Sequence, residues 1–536
     1  MFRRDPVISP RAVVFAVAGF AFLAISASYA ASGSWNSDTS GNWSDTTKWL
    51  GGTIADGAGS TGNFTFNITT AGPRTITIDG AVASRTLGIL NIGDTDASTS
   101  YRIAASGGGT LTFDNGGSNA QLNQTSTSAG DTISAPVLLN SSLDIANASA
   151  SNTLTISGGM TAGTAGTKTI TTSTGLVAIS SVIGDGSGVM AVSQSGPGTL
   201  TLTGANTYSG GTTLNGGVLQ LGNAGNGSVS GPVGTGTLTL NGGTLSSNFT
   251  TARSIVNAIT FGGNVTLGDA TNTGALTFSG PGTLTGNRTL TLNSAITYSG
   301  IIGQSGGSFG ITKAGAGSLT LSGGSSNTYS GKTTVSNGTL ILNKNNTLNA
   351  ISSTGSTGAD AANTDLQILS GGTTQLNGSD QIINSAKVGL SGGTLILNGV
   401  SEGSISTAGV GSLTLSANSI IDLAGTSLLH FSPSNGQNWT GTLSIWNWTG
   451  TPVTGGGAER LLFGTSNTAL TTAQLSEFRF YSDAGMTPFS PGGVILSSGE
   501  VVPVPEPSTW AAGLLSAAAL GYTQRKRLAK RLRAIS

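Results

Sequence analysis

Residues 195–223 read SGPGTLTLTGANTYSGGTTLNGGVLQLGN, and residues 314–344 read AGAGSLTLSGGSSNTYSGKTTVSNGTLILNK. The two stretches align through the pattern G-x-G-[TS]-L-T-L-[TS]-G, then through N-T-Y-S-G and T-T, with a two-residue insertion before Asn327. A third, degenerate unit contains GPGTL at 280–284 and YSG at 298–300. Internal duplication of this kind indicates a repeat architecture.

A shorter pattern recurs ten times: glycine, a small residue, leucine, any residue, and then Leu, Ile or Phe. It begins at Gly109, Gly198, Gly217, Gly236, Gly274, Gly317, Gly338, Gly393, Gly411 and Gly441. Several neighbouring occurrences are 18, 19 or 21 residues apart, and Gly236 and Gly274 are separated by 38. A period of about 19–21 residues predicts a β-solenoid in which each turn stacks on its neighbours.

The side chains of each pattern alternate between two environments. Successive residues of a strand point to opposite faces, so Leu200 and Leu202 are predicted to enter the core while the flanking threonines meet solvent. Leu319 and Leu321 repeat the arrangement. A β-sandwich of short, regularly spaced strands is the alternative, but the recurring pentapeptide favours the solenoid. We therefore predict an all-β fold: a parallel β-helix with capped ends.

The composition narrows the classes of protein that the chain can represent. Charged residues make up 8% of the 536 positions, compared with roughly 25% in an ordinary soluble protein, and glycine occupies 85 positions. There is no cysteine and one histidine, His430. This excludes disulfides, thiolate ligands, cysteine nucleophiles and paired-histidine zinc sites. We predict no cofactor and no structural metal.

The net charge of the body differs from that of the whole chain. The complete sequence holds 22 basic and 22 acidic residues, but 13 basic and 20 acidic residues remain between its two terminal segments. The body is therefore about seven charges negative. Because phosphate binding requires basic patches, we predict no nucleic-acid partner.

The first 30 residues have the three parts of a secretory signal peptide. Basic residues at positions 3, 4 and 11 precede an apolar run over 12–25, and SASYA follows at 26–30. Small residues at the last and third-last positions predict cleavage between Ala30 and Ala31, and the apolar run predicts a signal helix. A permanent membrane anchor is the alternative, but it requires about 20 apolar residues.

The C-terminal segment, residues 505–536, also has three parts in order. Pro505, Glu506 and Pro507 come first, followed by the apolar segment WAAGLLSAAALGY at 510–522 and then by a basic tail. The basic tail comprises Arg525, Lys526, Arg527, Lys530, Arg531 and Arg533. The apolar segment predicts a short C-terminal membrane helix with the tail on the cytoplasmic side. Because a full span needs about 20 residues, a transient stop is favoured over a permanent anchor.

Two family resemblances follow from these motifs. The C-terminus resembles the PEP-CTERM sorting signal of exported Gram-negative bacterial proteins, which implies an exosortase-type processing enzyme and transient contact with the inner membrane. The duplicated units resemble the autotransporter-associated β-strand repeat, also called the passenger-associated transport repeat. That resemblance implies a right-handed parallel β-helix in a secreted, surface-displayed protein. The chain ends in the sorting tail rather than in a membrane barrel, so self-translocation is not predicted.

Six segments are expected along the chain. Residues 1–30 form the signal peptide, 31–100 the N-terminal cap and first turns, 101–418 the β-helix repeats, 419–496 a C-terminal cap, 497–504 a linker and 505–536 the sorting signal. Trp35, Trp43 and Trp49 are expected in the N-terminal cap, because open solenoid ends expose strand edges. Glycan contact by these three rings is the alternative.

Clustered acids, which glycan-cleaving sites need, are not evident. Paired carboxylates act about 5–9.5 Å apart in such sites. The closest pairs here, Asp94 with Asp96 and Asp360 with Asp365, lie in Gly-, Ser- and Thr-rich loops without a basic neighbour. His430 lies in the apolar run LLHF and is expected to be structural. We predict no catalytic residue, although stacked turns can bring distant acids together.

The predicted function is therefore structural. The sequence indicates an exported, non-enzymatic β-helix protein of the cell surface or extracellular matrix, sorted by an exosortase through its tail. Its Thr, Ser and Asn side chains are expected to hydrogen-bond extracellular polysaccharide. A glycan-binding adhesin is the second hypothesis and a polysaccharide lyase or hydrolase the third. Exposed parallel indoles would favour the adhesin, whereas three acids converging on one groove would favour the enzyme.

Overall fold

The chain coils into a parallel β-solenoid with three faces. The computed structural model describes residues 30–80, 84–223, 229–353, 363–486, 488–504 and 518–527. A typical coil passes through a strand of face 3, then one of face 1, then one of face 2, and each strand pairs with the equivalent strand of the next coil. This confirms the predicted all-β, parallel β-helix, while its right-handed sense stays a prediction.

Face 1 is a twelve-stranded sheet, and a three-stranded sheet takes its place in the last coils. The twelve strands are Gly33–Ser34, Thr61–Phe64, Ile89–Ile92, Ala120–Gln124, Leu143–Asn147, Thr167–Thr174, Val189–Gln194, Thr212–Leu214, Leu238–Leu240, Ile259–Phe261, Gly282–Leu284 and Ile302–Gln304. The three later strands are Ser401–Glu402, Leu428–Phe431 and Arg460–Phe463.

Face 2 is a continuous sheet of sixteen parallel strands. Its strands are Gly41–Asn42, Arg74–Ile78, Tyr101–Ala105, Thr132–Ile133, Leu154–Ile156, Leu176–Ile179, Thr199–Leu202, Val218–Leu221, Thr244–Ser247, Val265–Leu267, Arg288–Leu292, Ile311–Ala314, Thr333–Val335, Leu366–Leu369, Val388–Ser391 and Leu413–Ala417. At about 4.8 Å per strand, this sheet extends roughly 70 Å along the solenoid axis.

Face 3 consists of a four-stranded sheet and, further along the chain, an eleven-stranded sheet. The first contains Ser84–Leu87, Thr110–Phe113, Val137–Leu139 and Met160–Ala162. The second contains Arg253–Ile255, Leu276–Phe278, Ile296–Tyr298, Ser318–Gly323, Gly338–Lys344, Gly372–Leu376, Thr394–Leu397, Ser419–Asp422, Leu443–Trp446, Phe478–Tyr481 and Pro488–Pro491. Only the last strand of this sheet is antiparallel to its neighbour.

Inward leucines form the core, as the alternating pattern predicts. Leu200 and Leu202 are fully buried, and Leu319 and Leu321 are exposed by no more than 2%. The threonines between them are partly exposed. Burying apolar area is worth about 25 cal/mol per Å², so each coil is stabilised by the inward side of its short strands.

The coils are longer than the predicted 19–21 residues. Thr199 pairs with Val218, so this coil spans 19 residues, but most coils of face 2 span between 22 and 26. The prediction was wrong because the glycine-leucine pattern is not confined to one face. The patterns beginning at Gly217 and Gly236 lie on face 2 and face 1, so their spacing does not measure one turn.

The two long repeats lie on different faces. The strand that ends at Gln194, directly before the first repeat, lies on face 1, and the TLTL strand Thr199–Leu202 lies on face 2. In the second repeat, the equivalent strands Ile311–Ala314 and Ser318–Gly323 lie on faces 2 and 3. The second copy is therefore rotated by one face around the solenoid axis. The repeat encodes a strand, a corner and a second strand, and any two adjacent faces accept it.

The N-terminal end of the solenoid is closed by an aromatic cluster. Trp35, Trp43 and Trp49 surround the ring of Phe64, and the ring centroids of Trp43 and Phe64 are 4.8 Å apart. Two short 3-10 helices, Thr46–Lys48 and Leu50–Gly52, carry the chain around this cluster. The three tryptophans therefore pack together at the first coils, and their role as a cap stays a prediction.

The C-terminal end is closed by antiparallel strands. The hairpin Gly493–Ile495 with Val501–Pro503 follows the reversed strand Pro488–Pro491. Val501 and Val502 are fully buried, and Glu500 forms an ion pair with Arg460. The predicted linker over 497–504 is therefore wrong, because these residues pair and pack as the outermost part of the cap.

Two α-helices occur among the described residues in addition to the strands of the coils. The five-residue α-helix Thr472–Ser476 begins with a capping box, in which Thr471 and Gln474 exchange side-chain to main-chain hydrogen bonds. A second helix, over 518–527, is exposed along its length and crosses the predicted boundary between the apolar segment and the basic tail. Of the helices within the described ranges, none has both the length and the apolar character required to cross a membrane.

Candidate functional surface

Rows of polar side chains run along the outside of the solenoid. The longest row on face 1, hereafter the face-1 row, is formed by residues paired strand to strand along eight successive coils. Its members are Gln121, Asp144, Thr171, Ser193, Thr213, Thr239, Thr260 and Thr283. All are at least partly exposed. With about 4.8 Å between strands, the seven steps of the row cover roughly 34 Å.

Amide ladders reinforce the same face. The Asn91 side-chain amide donates to the Asn63 side-chain oxygen at 2.8 Å, and the Asn123 amide donates to Asn91 at 3.0 Å. Asn241 donates to Asn215 at 2.8 Å in a second ladder. These bonds connect equivalent positions of successive coils, so the outer surface is organised at the same spacing as the backbone.

The three N-terminal tryptophans present no ring face to solvent. Trp35 is 2% exposed, Trp43 fully buried and Trp49 3% exposed. The Trp43 indole nitrogen donates to the Ala55 carbonyl at 3.0 Å, and that of Trp49 donates to the Trp43 carbonyl at 2.9 Å. Stacking of a sugar requires an accessible ring, so glycan contact by these residues does not fit the packing. Their geometry is that of a core.

The described acids of the pairs considered from the sequence accept hydrogen bonds that stabilise loops. Asp94 is fully buried and accepts hydrogen bonds from the Ile68 and Thr99 amides and from the Ser98 hydroxyl. Asp365 accepts bonds from the Ser353 hydroxyl and the Lys387 amide, and Asp360 lies outside the described residues. Within the described ranges, no three His, Asp or Glu side chains lie close enough together to hold a metal ion.

Asp131 and Glu402 are acids whose burial changes their ionisation. Burial raises the pKa of Asp131 to about 6, although the Ser128 hydroxyl and the Tyr101 amide both donate to its carboxylate. Burial likewise raises the pKa of Glu402 well above the usual range, against two backbone amides that favour its charged form. Each carboxyl accepts hydrogen bonds from backbone amides of a neighbouring coil, so both acids help to hold adjacent coils together.

His430 has the structural position that the sequence predicts. The ring is fully buried, with Nδ1 2.6 Å from the Ser404 carbonyl oxygen and Nε2 2.9 Å from the Gly464 carbonyl oxygen. Both nitrogens thus face main-chain oxygens of the loops on either side. A nucleophile that His430 could activate would have to displace one of these contacts.

The N-T-Y-S-G motif holds neighbouring coils together, a role that was not predicted from the sequence. Asn327 accepts a hydrogen bond from the Ile302 amide of the preceding coil at 3.0 Å and donates to the Ala350 carbonyl of the following coil at 2.8 Å. In the first repeat, Asn206 makes the equivalent bonds to Ile183 and Pro232 at 2.8 Å each. Recurrence of the motif was the signal that marked these asparagines.

The tyrosine of the same motif makes a second internal contact. The Tyr329 hydroxyl is 2.8 Å from the Thr333 hydroxyl, and the Tyr208 hydroxyl is 2.6 Å from that of Thr212. Burial raises the pKa of Tyr329 to about 12, so the phenol stays neutral. The motif therefore contributes to the core and to coil stacking rather than to the outer surface.

The sorting and processing features fall largely outside the described part of the chain. Residues 1–29, Pro505, Glu506 and Pro507 lie outside it, as do Lys530, Arg531 and Arg533. At the predicted cleavage site, Ala31 pairs with Asp56 through two backbone hydrogen bonds of 2.8 and 2.9 Å. The described part of the basic tail, Arg525, Lys526 and Arg527, lies on the exposed helix over 518–527.

Comparison with known proteins agrees with the repeat architecture. The Passenger-associated-transport-repeat family model matches residues 192–221 and 311–342. These ranges overlap nearly all of the two long units quoted first, which confirms them as passenger-associated repeats, while the third unit stays a prediction. The chain thus carries two passenger-associated repeats on a β-solenoid.

A curated relative extends this similarity over more of the chain. An adhesin, the BmaC autotransporter of Brucella suis biovar 1 (strain 1330), is 32% identical over 299 residues, which cover 52% of this chain. The matched region spans 8% of the length of that adhesin. No solved structure is significantly similar to the chain.

Proposed function

We propose that the protein is an exported, non-enzymatic β-helix of the cell surface or extracellular matrix. The observation that carries the proposal is the solenoid itself, whose face 1 presents a continuous polar row, while the acids Asp94 and Asp365 are used within loops. Such a surface is repetitive and weakly charged. It suits extended contact with a hydrated polymer rather than a localised reaction.

Export and sorting form the second part of the proposal. The signal peptide is removed between Ala30 and Ala31, and an exosortase-type enzyme recognises Pro505, Glu506 and Pro507 while the apolar segment and the basic tail hold the chain transiently at the inner membrane. The prolines support this role, because they restrict φ and bias the preceding residues away from helix. An extended segment is easily presented to a processing enzyme.

The test is the intact mass and terminal peptides of the protein recovered from the native envelope and medium. We expect a form that starts near Ala31 and lacks residues 510–536. A form that keeps the basic tail in the inner membrane would contradict processing. A form found only inside the cell would contradict export and the surface role together.

An adhesive role is the second candidate function, and the similarity to an adhesin favours it. In this role the polar rows bind a glycan or matrix polymer and attach the cell to it. A strain without the protein is expected to lose attachment to the polymer, and external addition of the purified protein to compete with the parent strain. Unchanged attachment in both assays would contradict adhesion.

A further inference from the structure

A recess interrupts the corner between face 3 and face 1 in three successive coils. The corner over 114–119 has six residues, the next over 140–142 has three, and the one over 163–166 has four. A short corner between two longer ones lies deeper than its neighbours. The result is a cavity of about 250 Å³, hereafter the notch, which opens to solvent.

The lining of the notch is almost entirely polar. Its walls carry Asp114, Ser118 and Asn119 on one side, with Thr167 and Lys168 on the other, and its floor consists of residues 140–142. These side chains supply carboxylate, hydroxyl, amide and ammonium groups within one cavity. A ligand that both donates and accepts many hydrogen bonds matches such a lining.

The serine hydroxyls of the floor have donor capacity left. Ser141 accepts a bond from the Asn115 amide at 2.9 Å, and Ser142 accepts one from the Thr169 amide at 3.1 Å. Neither hydroxyl donates to another group in the described part of the chain. Because a serine hydroxyl is one donor as well as an acceptor, each can still donate to a bound oxygen.

The charges at the notch disfavour an anionic ligand. Asp114 accepts bonds from the Gly116 amide and from the Asn140 side chain, and Asp144, next to the notch, accepts two from Asn119 at 3.1 and 3.2 Å. The lining holds one ammonium, that of Lys168, which donates to the Ala165 carbonyl at 2.8 Å. The surrounding body is also negatively charged.

The notch opens onto the face-1 row. Asp144, which holds Asn119 at the edge of the notch, pairs with Thr171, the next member of that row. Ser193 and Thr213 continue the row coil by coil. A ligand seated in the notch can therefore extend along hydroxyl groups that repeat every ~4.8 Å.

We propose that the notch binds one uncharged sugar ring of a polysaccharide whose chain continues along the face-1 row. This inference rests on the proposed surface function and deepens it, since it names the ligand class and where it binds. The notch orients one ring through hydrogen bonds, and the row adds weaker contacts to the rest of the chain. Binding tightens with oligosaccharide length as more of the row is occupied.

The test is calorimetric titration of the full-length protein with cellotetraose, mannotetraose and the anionic tetragalacturonate. We expect at least one neutral tetrasaccharide to bind, and to bind more tightly than its disaccharide. Asn119→Ala removes an amide from the wall, and Thr167→Val replaces a hydroxyl by a methyl group. Each is expected to weaken binding at least tenfold.

Asn435→Ala is the matched control, because Asn435 is an exposed corner asparagine whose amide donates to the Thr468 carbonyl far from the notch. It should bind like the parent protein, and all three variants should keep the parent circular dichroism spectrum. Equal affinity in the notch variants and the control, preference for tetragalacturonate, or no binding of any neutral probe would overturn the inference. A surface-located protein without sugar binding would refute only the notch, whereas failure of export would refute the proposed function.

Discussion

Gln194 and Lys313 occupy the same position in the two ranges that match the family model, and both side chains clamp a glycine corner. The Gln194 amide donates to the Gly196 and Gly198 carbonyls at 2.9 Å each. The Lys313 ammonium donates to the Gly315 carbonyl at 2.6 Å and to the Asn337 carbonyl at 2.7 Å. A neutral amide and a charged ammonium thus each donate to main-chain carbonyls at a glycine corner of the solenoid.

Replacing Lys313 with glutamine should preserve the corner. Gln194 shows that an amide satisfies equivalent carbonyls, and glutamine avoids the cost of burying an unpaired ammonium. Lys313→Met keeps the volume but leaves the Gly315 carbonyl without this donor, which costs about 1–3 kcal/mol relative to Lys313→Gln. Denaturant unfolding of the two variants checks that the glutamine variant is the more stable. A methionine variant of equal stability would contradict the role of Lys313 at the glycine corner.

The stability of the parent protein should rise with pH across the range where Lys313 titrates. Burial lowers the pKa of Lys313 to about 8 from the usual 10.5, and it also lowers that of Lys344 to about 8. Between these values the unfolded chain holds more protons than the folded one, so the free energy of unfolding increases with pH. Unfolding measured from pH 7.5 to 10.5 should show a smaller rise in Lys313→Gln, and an unchanged slope would contradict the assignment.

Loss of the Asn327 side chain should separate three coils locally. Asn327→Ala leaves the Ile302 amide and the Ala350 carbonyl without their partner, at a cost of about 2–4 kcal/mol. Hydrogen exchange should show loss of protection centred on the coils that contain Ile302 and Ala350. Asn435→Ala, at an exposed corner, is the control and should change stability by less than about 0.5 kcal/mol. Equal effects of the two substitutions would contradict the role of Asn327 in holding neighbouring coils together.

The inward and outward sides of each strand could be predicted from the sequence, but the assignment of strands to faces could not. Alternation places Leu200 and Leu202 in the core wherever the strand lies, because it depends only on the pleat. The face depends on the length of each corner, and corners here range from one residue upward. The notch follows from corner lengths in three coils, which no pattern within one coil reveals.

The aromatic cluster at the N-terminal end could be predicted from the sequence, whereas the hairpin at the C-terminal end could not, because it depends on contacts between distant residues. Three tryptophans within 15 positions, from Trp35 to Trp49, indicate an apolar cluster without knowledge of its partners. Val501 and Val502 stand in a short run next to prolines, which reads as a linker. Their burial depends on a hairpin with Gly493–Ile495 and on the pairing of Glu500 with Arg460, which is 40 residues away.

Truncation of Trp43 should open the N-terminal end. Trp43→Ala removes a fully buried ring that contacts Trp49 and Phe64, and large-to-small changes of this kind cost about 3–5 kcal/mol. Exposed strand edges promote pairing between molecules, so light scattering should also increase on mild heating. Trp446→Ala, at a partly exposed ring, is the matched control with a smaller expected cost. Identical melting and scattering of the two variants would contradict the cap.

The C-terminal hairpin should depend on the ion pair between Glu500 and Arg460. The Glu500 side chain is 2% exposed, and its carboxylate accepts bonds from the Arg460 guanidinium at 2.5 and 3.1 Å and from the Gly456 amide at 2.9 Å. Glu500→Ala leaves the guanidinium without its carboxylate, which costs about 3–5 kcal/mol when a buried pair is broken. Limited proteolysis should then cut within 493–504, where the parent protein resists. Glu477→Ala, a partly exposed acid near the same end, should leave the cleavage rate unchanged, and equal cleavage of both variants would show that the hairpin is held by its buried valines alone.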